Sequence, residues 1–132
     1  MCGIPTVLGM ANMEVALKEA MTVEGALGVA VVDYTSGMAL GIMGSTDLDL
    51  NAAAAGNTEV VRAKMRTMEM LNLHHEGIED ILITLTNQYH LIRPLTKKAN
   101  EGHFLYLALD RRRANLAMAR LRLRQIEDSL VL

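Results

Sequence analysis

The chain has 132 residues, a formal net charge of −2 and a single cysteine. This length suffices for one domain with a substantial core, and one cysteine excludes an internal disulfide, which favours a reducing compartment, the cytoplasm. The small net charge and an aromatic content of 3% without tryptophan argue against nucleic acid as a partner.

The N-terminal third predicts a helix followed by a β-hairpin. Apolar residues recur at helical spacing at Met10, Met13, Leu17 and Met21, whereas the stretch before them is interrupted by Gly9 and lacks a basic leader. We therefore expect an amphipathic helix and neither a signal peptide nor a membrane span. Small and β-branched residues over 26–33 are typical of a strand covered on both faces, and turn residues separate it from a second strand over 38–43.

A second helix is predicted over residues 48–72. Ser45, Thr46 or Asp47 is expected to cap its N-terminus, and Gly77 to lie at its C-cap. Five residues of this helix alternate steps of four and three and form a seam suited to another helix, namely Ala54, Thr58, Val61, Met65 and Met68.

The second half predicts three strands and a last helix. The run EDILITLTNQYHLIRPL gives two strands around a turn near Asn87 and Gln88, and HFLYLALD gives a fifth strand with two apolar faces. Asp110 is expected to cap the last helix. The order α-β-β-α-β-β-β-α predicts an α/β (α+β) domain of three layers, with helices on both faces of a five-stranded antiparallel sheet.

Three stretches carry a resemblance to a known family: GALGVAVVDYTSGMALG, IEDILITLTNQYHLIRPL and FLYLALDRRRANLAMARLRL. Together they resemble the roadblock/dynein light-chain family, in particular its bacterial stand-alone members. The resemblance covers roughly residues 13–125, so we expect a single roadblock/profilin-like domain over 1–132, with residues 1–9 as a tail. It implies a non-enzymatic homodimer without a cofactor that regulates or scaffolds a small Ras-like GTPase.

The same resemblance implies where the dimer forms. In such dimers the third strands pair edge to edge and the second helices pack together, so we expect Ile81 and Ile83 to join the seam of the second helix in the interface. The exposed residues Arg62, Arg66 and Glu69 of the paired helices are then expected to form the surface that binds the GTPase.

Six arginines are the strongest charge feature of the chain, and they lie at Arg111, Arg112, Arg113, Arg120, Arg122 and Arg124. We interpret them first as a solvated face that pairs locally with Glu127 and Asp128. Contact with an acidic partner is the alternative interpretation.

Two other functions stay open from the sequence. Removal of Met1 would expose Cys2 as an N-terminal nucleophile, and MCGI resembles the start of class II glutamine amidotransferases, so an N-terminal cysteine amidohydrolase is one alternative. A small-ligand sensor module is the other, because a covered sheet can enclose a pocket.

No catalytic, metal or nucleotide site is predicted. His74 and His75 are adjacent in the predicted helix and point about 100° apart, so they do not form a metal-binding pair. The glycines at Gly37, Gly41 and Gly44 lack the order of a phosphate-binding loop.

Overall fold

A computed structural model describes residues 12–44 and 47–132, and it places a five-stranded antiparallel sheet between two layers of helix. The elements in chain order are α1 (Met13–Met21), β1 (Ala26–Asp33), β2 (Met38–Gly44), α2 (Leu50–Met70), β3 (Ile81–Thr84), β4 (Gln88–Pro94), β5 (His103–Asp110) and α3 (Leu116–Ser129). The strands lie in the order β2-β1-β5-β4-β3. The predicted fold class and element order are confirmed, and β2 and β3 are the edges of the sheet.

One half of the core lies between the sheet and the pair α1 and α3. Val29 and Val31 of β1 face this side, and Leu123 and Ile126 of α3 are buried against it. Gly41 of β2 lies under α1, where an added Cβ would be 2.8 Å from the Met13 sulfur. The absence of a side chain at Gly41 therefore leaves room for the Met13 and Leu17 side chains against the sheet.

The other half of the core lies under α2. Ala30 and Val32 of β1 and Phe104 and Tyr106 of β5 face this helix. The helix α2 runs over β1 and β2. On this side of the sheet, β3 and β4 are therefore less covered. Ile81 and Ile83 on that part of the face are only half-buried.

The ends of α2 differ from the prediction. The N-cap is Asp49 rather than Asp47, because the Asp49 backbone is extended and its side chain accepts a hydrogen bond from the Ala52 amide at 3.0 Å. Ser45 and Thr46 lie outside the described residues. At the other end Asn72 adopts φ 60, and the Leu73 amide donates to the Met68 carbonyl at 2.8 Å. This left-handed termination ends the helix before Gly77, so the predicted C-cap is wrong.

The start of α3 also differs from the prediction. Asn115 caps the helix, with its side chain accepting from the Met118 amide at 3.1 Å. The Asp110 carbonyl instead accepts from the Arg113 and Ala114 amides and closes the turn that follows β5. The prediction that Asp110 caps the helix is therefore wrong, because the chain makes one more turn before it enters α3.

Candidate functional site

The predicted seam of α2 is mostly the inner face of the domain. Ala54 and Val61 are 0% exposed and Thr58 is 1% exposed, and all three are covered within their own chain. Thr58 also donates its hydroxyl to the Ala54 carbonyl at 2.7 Å. A residue already buried in one chain has no surface left for a second, so the assignment of these three residues to a dimer interface is wrong.

Met65 and Met68 differ from the rest of the seam because they are only half-buried. Both line an open cleft of about 320 Å³ between the end of α2 and the end of β4, together with Tyr34, Leu73 and Pro94. These two methionines are therefore the members of the predicted seam that remain accessible to another molecule.

A neighbouring row of α2 faces the uncovered part of the sheet. Ala53, Asn57 and Val60 repeat at steps of four and three and are half-buried. Ala53 and Val60 pack against the core cluster that contains Tyr106 of β5 and Ile92 of β4, which places this row on the side of α2 toward these strands. We name Ala53, Asn57 and Val60 the open flank of α2. The open flank has the same alternation of four and three residues as the predicted seam, displaced by one residue along the helix, so the sequence pattern could have indicated it.

A row of polar side chains continues from the open flank across the sheet. The Tyr106 hydroxyl lies 3.2 Å from His90 Nδ1, and His90 Nε2 lies 2.8 Å from Gln88 Oε1. Burial raises the pKa of Tyr106 to about 12 and lowers the pKa of His90. A neutral His90 with its proton on Nε2 therefore accepts from Tyr106 and donates to Gln88.

Strand β3 is one edge of the sheet beside this row. The Leu85 amide donates to the Gln88 carbonyl at 2.8 Å, and Ile83 is opposite His90 in the register. Antiparallel alternation then directs the backbone groups of Ile81 and Ile83 toward β4, and those of Leu82 and Thr84 away from it. The outer side of β3 pairs with no other strand of the described residues.

The residues predicted to bind the GTPase have different surroundings. Arg62 donates through Nε to the Tyr34 carbonyl at 2.8 Å and through Nη2 to the Thr35 carbonyl at 2.6 Å. Its guanidinium therefore holds the β1–β2 turn against α2. Arg66 and Glu69 are exposed on the same helix. The cleft beside Met68 is lined in part by Glu69.

The predicted pairing of the C-terminal arginines with Glu127 is wrong. Glu127 is 4% exposed and accepts from Arg93 Nε at 2.7 Å and from the Thr96 amide at 2.9 Å. Burial alone would raise the pKa of Glu127, but hydrogen bonds from Thr96 and Arg93 and the charge of Arg93 outweigh it and lower the pKa. Arg120 of α3 pairs instead with Asp80, just before β3.

The remaining candidates of the sequence analysis add no site within the described residues. No cluster of three or more His, Cys, Asp or Glu side chains there could hold a metal ion. Cys2, the nucleophile of the amidohydrolase alternative, and the predicted tail over residues 1–9 lie outside residues 12–44 and 47–132. Among the described helices, none is long and apolar enough to cross a membrane.

Comparison with known proteins gives a result at the level of structure. No protein-family model matches the sequence, and no curated protein matches it. Myxococcus xanthus MglB superposes with a TM-score of 0.69 at 18% identity, over 87% of this chain and 85% of MglB. A Roadblock/LC7 domain from Streptomyces avermitilis gives a TM-score of 0.72 at 9% identity, over 90% of this chain and 94% of that domain.

A third solved structure matches over a slightly larger share of the chain. The gliding protein MglB from Thermus thermophilus gives a TM-score of 0.70 at 16% identity, over 96% of this chain and 90% of its own. All three neighbours superpose on this chain over at least 85% of their own length. The chain therefore has the fold of the bacterial roadblock proteins.

Proposed function

We propose that this protein is a non-enzymatic regulator or scaffold of a small Ras-like GTPase and that it acts as a homodimer in the cytoplasm. The observation that carries the proposal is the outer edge of β3, which pairs with no other described strand and lies beside the open flank of α2, within a fold shared with MglB. The resemblance of the sequence to the roadblock family supplies the expectation of a GTPase partner.

The edge of β3 supports the homodimer. The backbone groups of Leu82 and Thr84 point away from the sheet, and an open apolar edge of this kind promotes association. Ile81 and Ile83 are half-buried beside this edge, as are Ala53 and Val60 of the open flank. A second copy related by a twofold axis would pair the two β3 strands and cover both apolar regions in one contact.

The outer surface of α2 is the proposed contact for the GTPase. Arg66 and Glu69 are exposed on this helix, and half-buried Met68 lies next to Glu69. Arginine anchors and adaptable methionine are frequent in protein contacts. Arg62 supports this surface indirectly, because it fixes the β1–β2 turn against the helix.

Binding of a purified Ras-like GTPase from the same organism tests the proposal. Calorimetry with the GTP-bound and GDP-bound forms should detect binding to the wild-type dimer. Arg66→Glu should weaken this binding about tenfold, because it reverses a charge at the rim of the contact. Arg124→Glu on α3 is the matched control and should leave affinity unchanged. Absence of binding to either nucleotide form, or equal binding by Arg66→Glu, would contradict the proposed surface.

A small-ligand sensor is the second candidate, and the cleft beside Met65 and Met68 is the observation that favours it. Its volume of about 320 Å³ lies at the lower end of the range for ligand pockets. Mass spectrometry of the purified protein tests this function, since a sensor is expected to retain a small molecule that a Met68→Glu variant loses.

The amidohydrolase alternative has a direct test as well. Glutamine hydrolysis that disappears in a Cys2→Ala variant would contradict the proposed non-enzymatic role. We expect no such activity, because the sequence lacks the further motifs of that enzyme class.

A further inference from the structure

Positive charge is concentrated in one short segment of the chain. Residues 111–124 contain six arginines and no acidic residue, whereas the rest of the chain contains seven basic and fifteen acidic residues. The net charge of −2 therefore conceals a strongly basic region on an otherwise acidic protein. Such segregation creates a local positive potential that attracts anionic partners.

Three of the six arginines are held by contacts inside the domain. Arg120 forms two hydrogen bonds with Asp80, at 2.9 and 3.1 Å. Arg122 lies 3.8 Å from Glu19. Arg111 donates to the Leu85 carbonyl at 3.0 Å and lies over the Tyr89 ring. These contacts connect the segment to α1 and to the residues at the two ends of β3.

The other three arginines have no acidic partner within the described part of the chain. Arg112 and Arg113 lie in the exposed turn before α3, and Arg124 is exposed on the helix itself. The local pairing with Glu127 and Asp128 that was predicted for them is therefore absent among the described residues.

A shallow, open groove lies along one side of the same helix. Arg120 and Arg124 line it together with Leu116, Ala117 and Leu121, and its volume is about 520 Å³. Leu121 is 40% exposed there, and Met118 on the adjacent outer face is 55% exposed. The inner face of α3 packs on the sheet through Ala119, Leu123 and Ile126. The helix therefore has a second apolar region that its own domain leaves open.

We propose that this groove binds an acidic amphipathic segment of a partner protein. Carboxylates of that segment would pair with Arg112, Arg113 and Arg124, and its apolar side chains would contact Leu121. A short acidic segment would contact only this basic region, whereas an anionic bilayer would also meet the acidic remainder of the protein, which disfavours its approach. The bidentate contact with Asp80 already orders Arg120 at the rim.

The groove is separate from the surface proposed for the GTPase. α3 packs on the face of the sheet that carries Val29 and Val31, whereas α2 packs on the opposite face with Ala30 and Val32. A partner bound to α3 therefore does not compete with one bound to α2, and the two contacts can be tested independently.

Fluorescence anisotropy of a labelled peptide, measured with the 132-residue protein, tests the proposal. The probe has 14 residues, with leucine at helical i, i+3 and i+4 positions and glutamate elsewhere. The triple variant Arg112→Ala/Arg113→Ala/Arg124→Ala should weaken binding about tenfold. A matched triple variant, Lys18→Ala/Lys64→Ala/Lys98→Ala, removes the same charge elsewhere and should change it less than about twofold. Leu121→Ser should weaken binding also at high salt, because the apolar contact is not screened.

Three results would overturn the proposal. The first is an equal loss of peptide affinity in both triple variants, which would show that only the net charge of the protein matters. The second is undiminished binding of a control peptide with glutamine in place of glutamate. The third is sedimentation of the protein with phosphatidylglycerol vesicles without any binding of the peptide, which would assign the surface to a membrane instead.

Discussion

Glu127 of α3 accepts a hydrogen bond from Arg93 of β4 at 2.7 Å, and only 6% and 12% of the two side chains are exposed. The same carboxylate accepts from the Thr96 amide and hydroxyl. This ion pair therefore connects the last helix to the sheet and to the loop that follows β4.

Removal of the Glu127 charge should destabilise the domain. We expect Glu127→Gln to lower the free energy of unfolding by about 2–4 kcal/mol, because Arg93 would stay buried without its counter-charge. Urea unfolding followed by circular dichroism measures the difference. Asp128→Asn, at the exposed neighbouring position, is the control and should stay within about 0.5 kcal/mol of the wild type. A similar small loss for Glu127→Gln would show that the pair contributes little.

Acid should unfold the protein partly through the same group. The pKa of Glu127 is lower in the folded protein than its ordinary value of 4.5, so the unfolded chain binds its proton first as the pH falls. The stability from Glu127 is then complete above about pH 4.5 and is lost as the pH falls through the lower pKa of the folded state. Melting temperatures measured from pH 7 to pH 3 should fall less steeply in Glu127→Gln. Parallel curves for the two proteins would contradict this assignment.

Two glycines should respond to alanine in opposite directions. Gly56 lies inside α2, and an added Cβ would have no atom within 4 Å apart from its chain neighbours and the backbone of the helix itself, so Gly56→Ala should stabilise the protein by about 0.5–1 kcal/mol through helix propensity. Gly44 has φ +126, and its Cβ would lie 2.6 Å from the Gly28 Cα. Gly44→Ala should therefore destabilise by at least about 2 kcal/mol. Thermal unfolding of both variants checks the two signs, and a destabilised Gly56→Ala protein would mean that this helix face is covered.

The homodimer should depend on the open flank. Val60→Glu places a carboxylate in the proposed contact and should convert the dimer to a monomer in light scattering, because an unpaired charge is costly to bury. Val15→Glu on α1, where valine is 41% exposed, is the matched control and should stay dimeric. A wild-type protein that is monomeric at micromolar concentration would contradict the proposal.

Hydrogen exchange gives a second test of the same dimer. The amides of Leu82 and Thr84 point away from β4, so they should be protected in the wild type only if a second copy pairs with β3. That protection should disappear in Val60→Glu. Fast exchange of both amides in a wild-type dimer would place the interface elsewhere, for example at the other edge strand, β2.

Much of the fold followed from local patterns. The bounds of β1 and β5 agree with the sequence prediction because each strand is a continuous apolar run that ends at an aspartate, Asp33 or Asp110. The caps were predicted less well. Asp47 and Asp49 are both residue types that cap helices, and the structure shows Asp49 in this role, with Leu50 buried as the first residue of α2.

The sequence by itself determined the order of the elements, the three layers and the fact that one face of α2 is buried. Only the tertiary structure decided what buries that face, since the spacing of Ala54 and Val61 shows that they are covered but not by which surface. Sequence likewise identified Arg62 and Glu127 as charged residues but not their partners. Those partners lie about thirty residues away along the chain and meet these side chains only through the folding of the sheet.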